Sequence, residues 1–321
     1  MPLINSSYHP PVLFRNGHFA TIYASAFRKI HGLEQQRERI ELMDGDFLDL
    51  DWSRGPQPTK KLVILLHGLE GDANRHYIRG SALGLLHAGY DICALNFRGC
   101  SGTPNRLYRS YHSGNTSDLA ITIAHCQQLH SYKHIFLMGF SLGGNVALKY
   151  VGEQTALLQE IKAVVGISVP CSLKDVCDQL QHAKNRLYAA RFKKKLLAKL
   201  RVKQEQFPDQ ISEQTISRIR TLKDFDDAYT APAHGFKDAL DYYEQCSCDQ
   251  FLPHITIPAL IINAKNDSFL GPDSYPLKKA AKNPMVFLEI PSYGGHVGFW
   301  GAKNKSYAEQ RAVDFFNNVH L

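Results

Sequence analysis

From about residue 60 onward, strand-length apolar runs alternate with longer amphipathic stretches. Lys61–Leu66 (KLVILL), Tyr90–Phe97 (YDICALNF), His134–Phe140 (HIFLMGF), Ile161–Ser168 (IKAVVGIS), Ala259–Ala264 (ALIINA) and Met285–Ile290 (MVFLEI) are bounded by turn formers. Such runs predict strands buried on both faces. Tyr77–His87, Asn115–Leu129, Leu142–Gly152 and Tyr307–Val319 carry helical spacing. Gly89 is placed to end the first of these helices, and Asn115 or Thr116 to cap the second. Strand, helix, strand at these intervals predicts right-handed crossovers and a mainly parallel, twisted sheet flanked by helices, an α/β fold class. Upstream, Arg37–Leu42 and Phe47–Trp52 flank Asp44-Gly45, a hairpin pattern suited to an antiparallel sheet edge.

Residues 170–235 break the rhythm. The segment is polar, helical and strongly basic, with no strand pattern. It reads as a helical cap inserted between the sixth and seventh strands, within a single domain spanning 1–321.

Composition narrows the function classes. A chain of 321 residues with 44% hydrophobic content can bury a sizeable core and is not a disordered polymer. No run approaches the roughly 20 apolar residues that cross a bilayer. The start, MPLINSSYHPPVLF, lacks the basic region and apolar core of a secretory signal, so a cytoplasmic location is expected. Seven cysteines, an odd number without a CxxC pair, read as buried, reduced thiols and form no zinc module. The net charge of +7 permits contact with anionic surfaces without requiring it. No nucleic-acid recognition module is visible.

The chemistry concentrates at Gly139-Phe140-Ser141-Leu142-Gly143, between a strand and a helix. G-x-S-x-G in that setting holds a serine on a sharp turn, with the helix N-terminus facing the charge that develops on an attacked carbonyl. Serine is a weak nucleophile and needs a base. Of fifteen histidines, His296 lies in a glycine-flanked loop (GGHVG) after the strand MVFLEI, the last place in the order Ser, Asp, His expected of this motif. The acid belongs after the preceding strand. Asp267 in KNDS is the candidate, with Asp273 and Glu289 as rivals. The loop His67-Gly68-Leu69-Glu70-Gly71 follows the first parallel strand, where the second oxyanion donor is expected. The donors are assigned to the backbone N–H groups of Leu69 and Leu142. His67 and the loop Asn96–Gly102 read as structural.

HGLEG, NFRGCSG, GFSLGGN, KND and GGHVGF occur in order, with FRNGHFATI at Phe14–Ile22 and the stretch Asp226–Asp267. As a set they resemble the YheT-like α/β-hydrolases, a bacterial branch related to eukaryotic ABHD-type lipid hydrolases, and the resemblance covers nearly the whole chain. It implies the α/β-hydrolase fold and a carboxylic-ester hydrolase acting on short- to medium-chain acyl esters or monoacylglycerols. It implies Ser141, Asp267 and His296 as the charge-relay residues, and no metal or organic cofactor. Thioesterase, amidase or acyltransferase chemistry would use the same triad. A non-catalytic, cap-gated binding protein is the reading from another class. His112 and Asp118 are one residue too far apart for the acyltransferase His-x4-Asp motif of some relatives, and Asp118 reads as a first-turn helix acid.

His182–Lys203 holds nine Lys or Arg and no acid, with Leu187, Phe192, Leu196, Leu197 and Leu200 as an apolar stripe. The favoured reading packs the stripe over the site and leaves the charges in water. Weak contact with an anionic membrane surface is the alternative. The expected partner is a small-molecule ester, and oligomeric state is not legible.

Overall fold

The computed structural model describes residues 3–130, 132–301 and 304–319. Among them β1 (Leu3–Ile4), β2 (Gln36–Glu41), β3 (Phe47–Ser53), β4 (Lys61–Leu66), β5 (Asp91–Asn96), β6 (His134–Phe140), β7 (Ile161–Ile167), β8 (Ala259–Ile262) and β9 (Val286–Glu289) form one sheet. Its order is β1-β9-β8-β7-β6-β4-β5-β3-β2. From β1 to β5 neighbouring strands are parallel. The hairpin forms as expected: β2 pairs antiparallel with β3, and β3 with β5, with Gly45 in the turn at φ 84°. The short strand β1 has no counterpart in the sequence reading, because two residues carry no periodicity.

Strand alternation explains why the apolar runs are continuous. On β4, Leu62, Ile64 and Leu66 enter the core on one face, and Val63 and Leu65 the core on the other. Residues of α3 (Ser117–His130) and α4 (Leu142–Glu153) cover the first face. Those of α2 (His76–His87) and α12 (Tyr307–Asn317) cover the second. Each such apolar side chain taken wholly from water contributes about 1.5–3 kcal/mol before entropy is counted. Thr116 precedes α3, but its hydroxyl donates to Glu153, and only its carbonyl accepts from the helix, from Ala120 N–H at 2.9 Å. Ahead of the hairpin, α1 (Gly17–Phe27) is capped by Asn16, whose side chain accepts from Phe19 N–H.

Between β7 and β8 the chain leaves the sheet. It runs through α5 (Leu173–Gln181), the long α6 (Arg186–Gln206), α7 (Glu213–Arg218) and α8 (Leu222–Phe225). A π-helical turn over Asp226–Thr230, α9 (Ala231–His234) and α10 (Ala239–Cys246) follow. The helical excursion therefore continues past residue 235, and α10 packs on α5 through Leu173, Cys177, Tyr242 and Tyr243. After β8 comes α11 (Leu277–Ala280).

Two expectations for α6 are corrected. Leu187 is 82% exposed and lies off the apolar stripe. At about 100° per residue it points roughly 140° away from Phe192, five residues on. The charges are also not confined to water. Lys195, Lys199 and Lys203, spaced four apart on one face, turn inward and donate to protein groups. All seven cysteines are buried free thiols.

Candidate active site

Ser141 occupies the turn between β6 and α4, at φ 51° and ψ −120°. A non-glycine residue there is strained, and the surrounding packing must hold it. The flanking glycines explain how. A β-carbon on Gly139 would lie 2.2 Å from the Gly143 carbonyl oxygen, and one on Gly143 2.4 Å from the Leu66 carbonyl oxygen. The turn closes only because neither side chain exists. Ser141 N–H donates to Ile167 O at 2.8 Å, fixing the turn to β7.

His296 and Asp267 arrive from the ends of β9 and β8. Ser141 Oγ lies 3.0 Å from His296 Nε2, and His296 Nδ1 lies 2.8 Å from Asp267 Oδ2. Asp267 is buried, and its other oxygen accepts from Phe269 N–H at 2.9 Å. With Nδ1–H donated to this carboxylate, Nε2 is left to accept a proton from the serine. The rivals stand elsewhere. Asp273 is exposed, while Glu289 is buried and accepts from Ser6 and Arg311.

The loop after β4 lies against the serine, since a β-carbon on Gly68 would be 3.2 Å from Ser141 Cβ. His67 is buried and neutral, its pKa pulled to about 3 by burial. Its Nε2 accepts from Phe97 N–H at 3.1 Å, so Nδ1–H donates to Gly68 O at 2.8 Å and ties the loop to β5. The backbone N–H groups of Leu69 and Leu142 donate to no group among the described residues. Behind this loop, buried Arg98 donates to Asp118, Asp44 and Asp46, which fits the structural reading of Asn96–Gly102. Asp118 is thus an ion-pair partner as well as a first-turn acid. His112 is half-buried beside His234 and Cys246, away from Asp118's bonds.

Two cavities meet at Ser141. One, about 1030 Å³ and open to solvent, runs under the helical segment past Leu142, Val176, Leu196, Leu200 and Phe225. Its wall includes Asp226, held by Tyr243 Oη at 2.6 Å and Thr230 Oγ1 at 2.7 Å. Burial pushes the Asp226 carboxyl up to about 6. The second, about 1110 Å³, opens past His296, Arg75, Arg191 and Lys195. The helical segment is tied to the loop after β4. Lys199 Nζ donates to Glu70 Oε1 at 2.9 Å and Lys195 Nζ to Glu70 O at 3.1 Å. Glu70 also accepts from Tyr111 Oη at 2.8 Å.

Several residues that shape the site escaped the sequence reading. Thr21 Oγ1 accepts from His296 N–H at 2.8 Å and donates to Gly17 O at 2.8 Å. Asn266 accepts from Gly295 N–H and donates to Arg15 O, both at 2.9 Å. The stretch FRNGHFATI thus clamps the two loops that carry His296 and Asp267. Its only sequence signal was membership of a motif set. Ser168 accepts from Val297 N–H at 3.0 Å, and Phe269 stacks on the His296 ring at 4.2 Å.

Residues 61–303 match the family model described as the alpha/beta hydrolase fold. The YheT protein of Escherichia coli (strain K12), named as an esterase, is 35% identical over 90% of this chain and 85% of its own. A monoacylglycerol lipase of Saccharomyces cerevisiae (strain ATCC 204508 / S288c) is 29% identical over 78% of this chain and 58% of its own. Among solved structures, the Pyrococcus furiosus esterase Pf2001 superposes with a TM-score of 0.60, covering 89% of this chain and 92% of that one. At 19% identity that likeness speaks for the fold alone.

Proposed function

This chain belongs to the α/β-hydrolase fold family, on its YheT-like branch of esterase- and lipase-like hydrolases, and from that premise we propose a serine carboxylic-ester hydrolase with Ser141 as nucleophile. The observation that carries the proposal is the chain of contacts from Ser141 Oγ to His296 Nε2 at 3.0 Å and from His296 Nδ1 to Asp267 Oδ2 at 2.8 Å. It ends on a serine at a strained turn before a helix N-terminus.

The mechanism is two acyl transfers. His296 Nε2 takes the Ser141 proton as Oγ attacks the ester carbonyl. Asp267 holds the imidazole in the tautomer this needs and stabilises the imidazolium that forms. The N–H groups of Leu69 and Leu142 donate to the oxyanion, and each such donor is worth about 100-fold or more in rate. The carbonyl–oxygen bond breaks, and the alcohol leaves with the proton from His296. Water then gives a proton to His296 and attacks the acyl-serine. The acid departs and Ser141 recovers its proton.

Short- to medium-chain acyl esters or monoacylglycerols are the proposed substrates. The apolar walls of the first cavity, with Val176, Leu196, Leu200 and Phe225, suit an acyl chain, and the lipase name of the yeast relative agrees. The test is hydrolysis of p-nitrophenyl butyrate by a Ser141→Ala variant. The expected loss in kcat is about 10⁴-fold or more, and a wild-type rate would refute the assignment.

A further inference from the structure

The two cavities are not equivalent, and their difference assigns the two halves of the substrate. Leu69, Glu70, Ser141, Phe192 and Phe269 line both and form the wall between them. Leu142 belongs to the first cavity alone, and His296 and Val297 to the second alone. In the reaction above, His296 hands its proton to the departing alcohol, so that alcohol lies on the His296 side. The acyl chain then takes the apolar cavity under the helices, and the alcohol portion takes the second.

The second cavity is cationic. Arg75 lines it from the start of α2, and Arg191 and Lys195 from successive turns of one face of α6. Negative charge there is already committed. Glu70 Oε1 accepts from Lys199 and Tyr111, and Asp72 is the carboxylate beside Arg75, at 3.7 Å. Arg191, at the exposed rim, has no carboxylate partner among the described residues. Lys195 spends one proton on the Glu70 carbonyl. Burial, together with Arg75 and Arg191 nearby, pulls its pKa down, a repulsion that a bound anion would relieve. The same wall holds the buried Nε2 of His76, which has no hydrogen-bond partner among the described residues. The first turn of α2, which lines the cavity, has no side-chain cap on its N–H groups among the described residues.

We infer that the second cavity binds a phosphate group on the alcohol portion of the substrate, through Arg75, Arg191 and Lys195. The preferred substrates are acyl esters of phosphorylated small alcohols, such as a monoacylglycerol phosphate. Three cations facing one space match a dianion better than a monocarboxylate, and guanidinium groups pair with phosphate in two-pronged fashion. This inference rests on the ester-hydrolase reading and narrows it.

The test compares 1-decanoyl-glycerol with 1-decanoyl-glycerol 3-phosphate, which share an acyl chain and a scissile bond. Wild-type protein should favour the phosphate ester by about tenfold or more in kcat/KM. That ratio should fall about tenfold in Arg191→Gln, mainly through KM, and recover in Arg191→Lys. Equal rates on the two lipids, or an unchanged ratio in Arg191→Gln, would overturn the inference. So would inhibition by inorganic phosphate without preference for the phosphorylated lipid, which marks a site for free anions only. Calorimetric binding of both lipids to Ser141→Ala protein separates this inference from the catalytic reading. Tighter binding of the phosphate ester would uphold the site even if no ester were hydrolysed, and equal affinities would overturn it whatever the rates.

Discussion

The ledge at the carboxyl ends of β4, β6, β8 and β9 and the helical segment above it are built on different principles. The ledge is held by backbone. Ser141 stands at φ 51° because Gly139 and Gly143 let three chain segments touch, and the proposed oxyanion donors are main-chain N–H groups. The helical segment is held by side chains. Lys195 and Lys199 reach down to Glu70, and Lys203 to the carbonyl of Leu107. The lesson is a division of labour. The parts proposed for bond-breaking are tied to rigid backbone, and the parts that shape the cavities hang on long, adjustable cations.

Three experiments can break or sharpen that comparison, in falling order of effect. The largest concerns the side-chain clamp that holds the backbone of His296 itself. Thr21→Val leaves His296 N–H without its acceptor and frees the loop that carries the base. It should lower kcat on p-nitrophenyl butyrate by roughly ten- to a hundredfold with KM little changed. A wild-type kcat would show that the His296 position is set without Thr21, by the backbone together with Asn266 and Ser168.

The second is acid. His67 is buried and His76 half-buried, and loss of water around the rings keeps both neutral, with pKa values of about 3 against 6.5 for the free group. Between those values the unfolded chain binds more protons than the folded one, so stability falls as pH falls. The stabilisation is complete above about pH 6.5 and declines by up to about 1.4 kcal/mol per pH unit per histidine below it. Melting temperature should be level from pH 8 to about 6.5 and drop steadily toward pH 5. A level profile down to pH 5 would contradict neutral histidines at these two positions.

The smallest effect belongs to the helical segment. Lys199→Met removes the cation beside buried Glu70, but Lys199's own side chain is 38% exposed, so water already screens the pair. The expected cost is about 1–2 kcal/mol, a few degrees in melting temperature, with KM rising more than kcat falls. A loss confined to kcat would mean that this tie serves the ledge.

The same division decides how much could be read from the chain. The α/β class, the hairpin at Asp44-Gly45 and the grouping of Ser141, His296 and Asp267 were legible, because local rules govern them: strand periodicity, turn chemistry, and glycines around a serine at a strand–helix junction. Glu289 could be set aside only by seeing its bonds to Ser6 and Arg311. On α6, residue type places Leu187 in the stripe, but its angular position puts it outside. The inward lysines were illegible because a lysine's partner is decided by tertiary contact, and their acceptors lie 96 to 129 residues away in the chain. Thr21 was hidden for the same reason, 275 residues from the N–H it holds.

The central claim, an activated nucleophile at Ser141, is tested most directly by covalent capture. Wild-type protein treated with a fluorophosphonate should gain one phosphonyl group, mapped by peptide mass spectrometry to Ser141, and Ser141→Ala protein should gain none. Failure of the wild-type protein to react, or a label on another residue, would contradict the account.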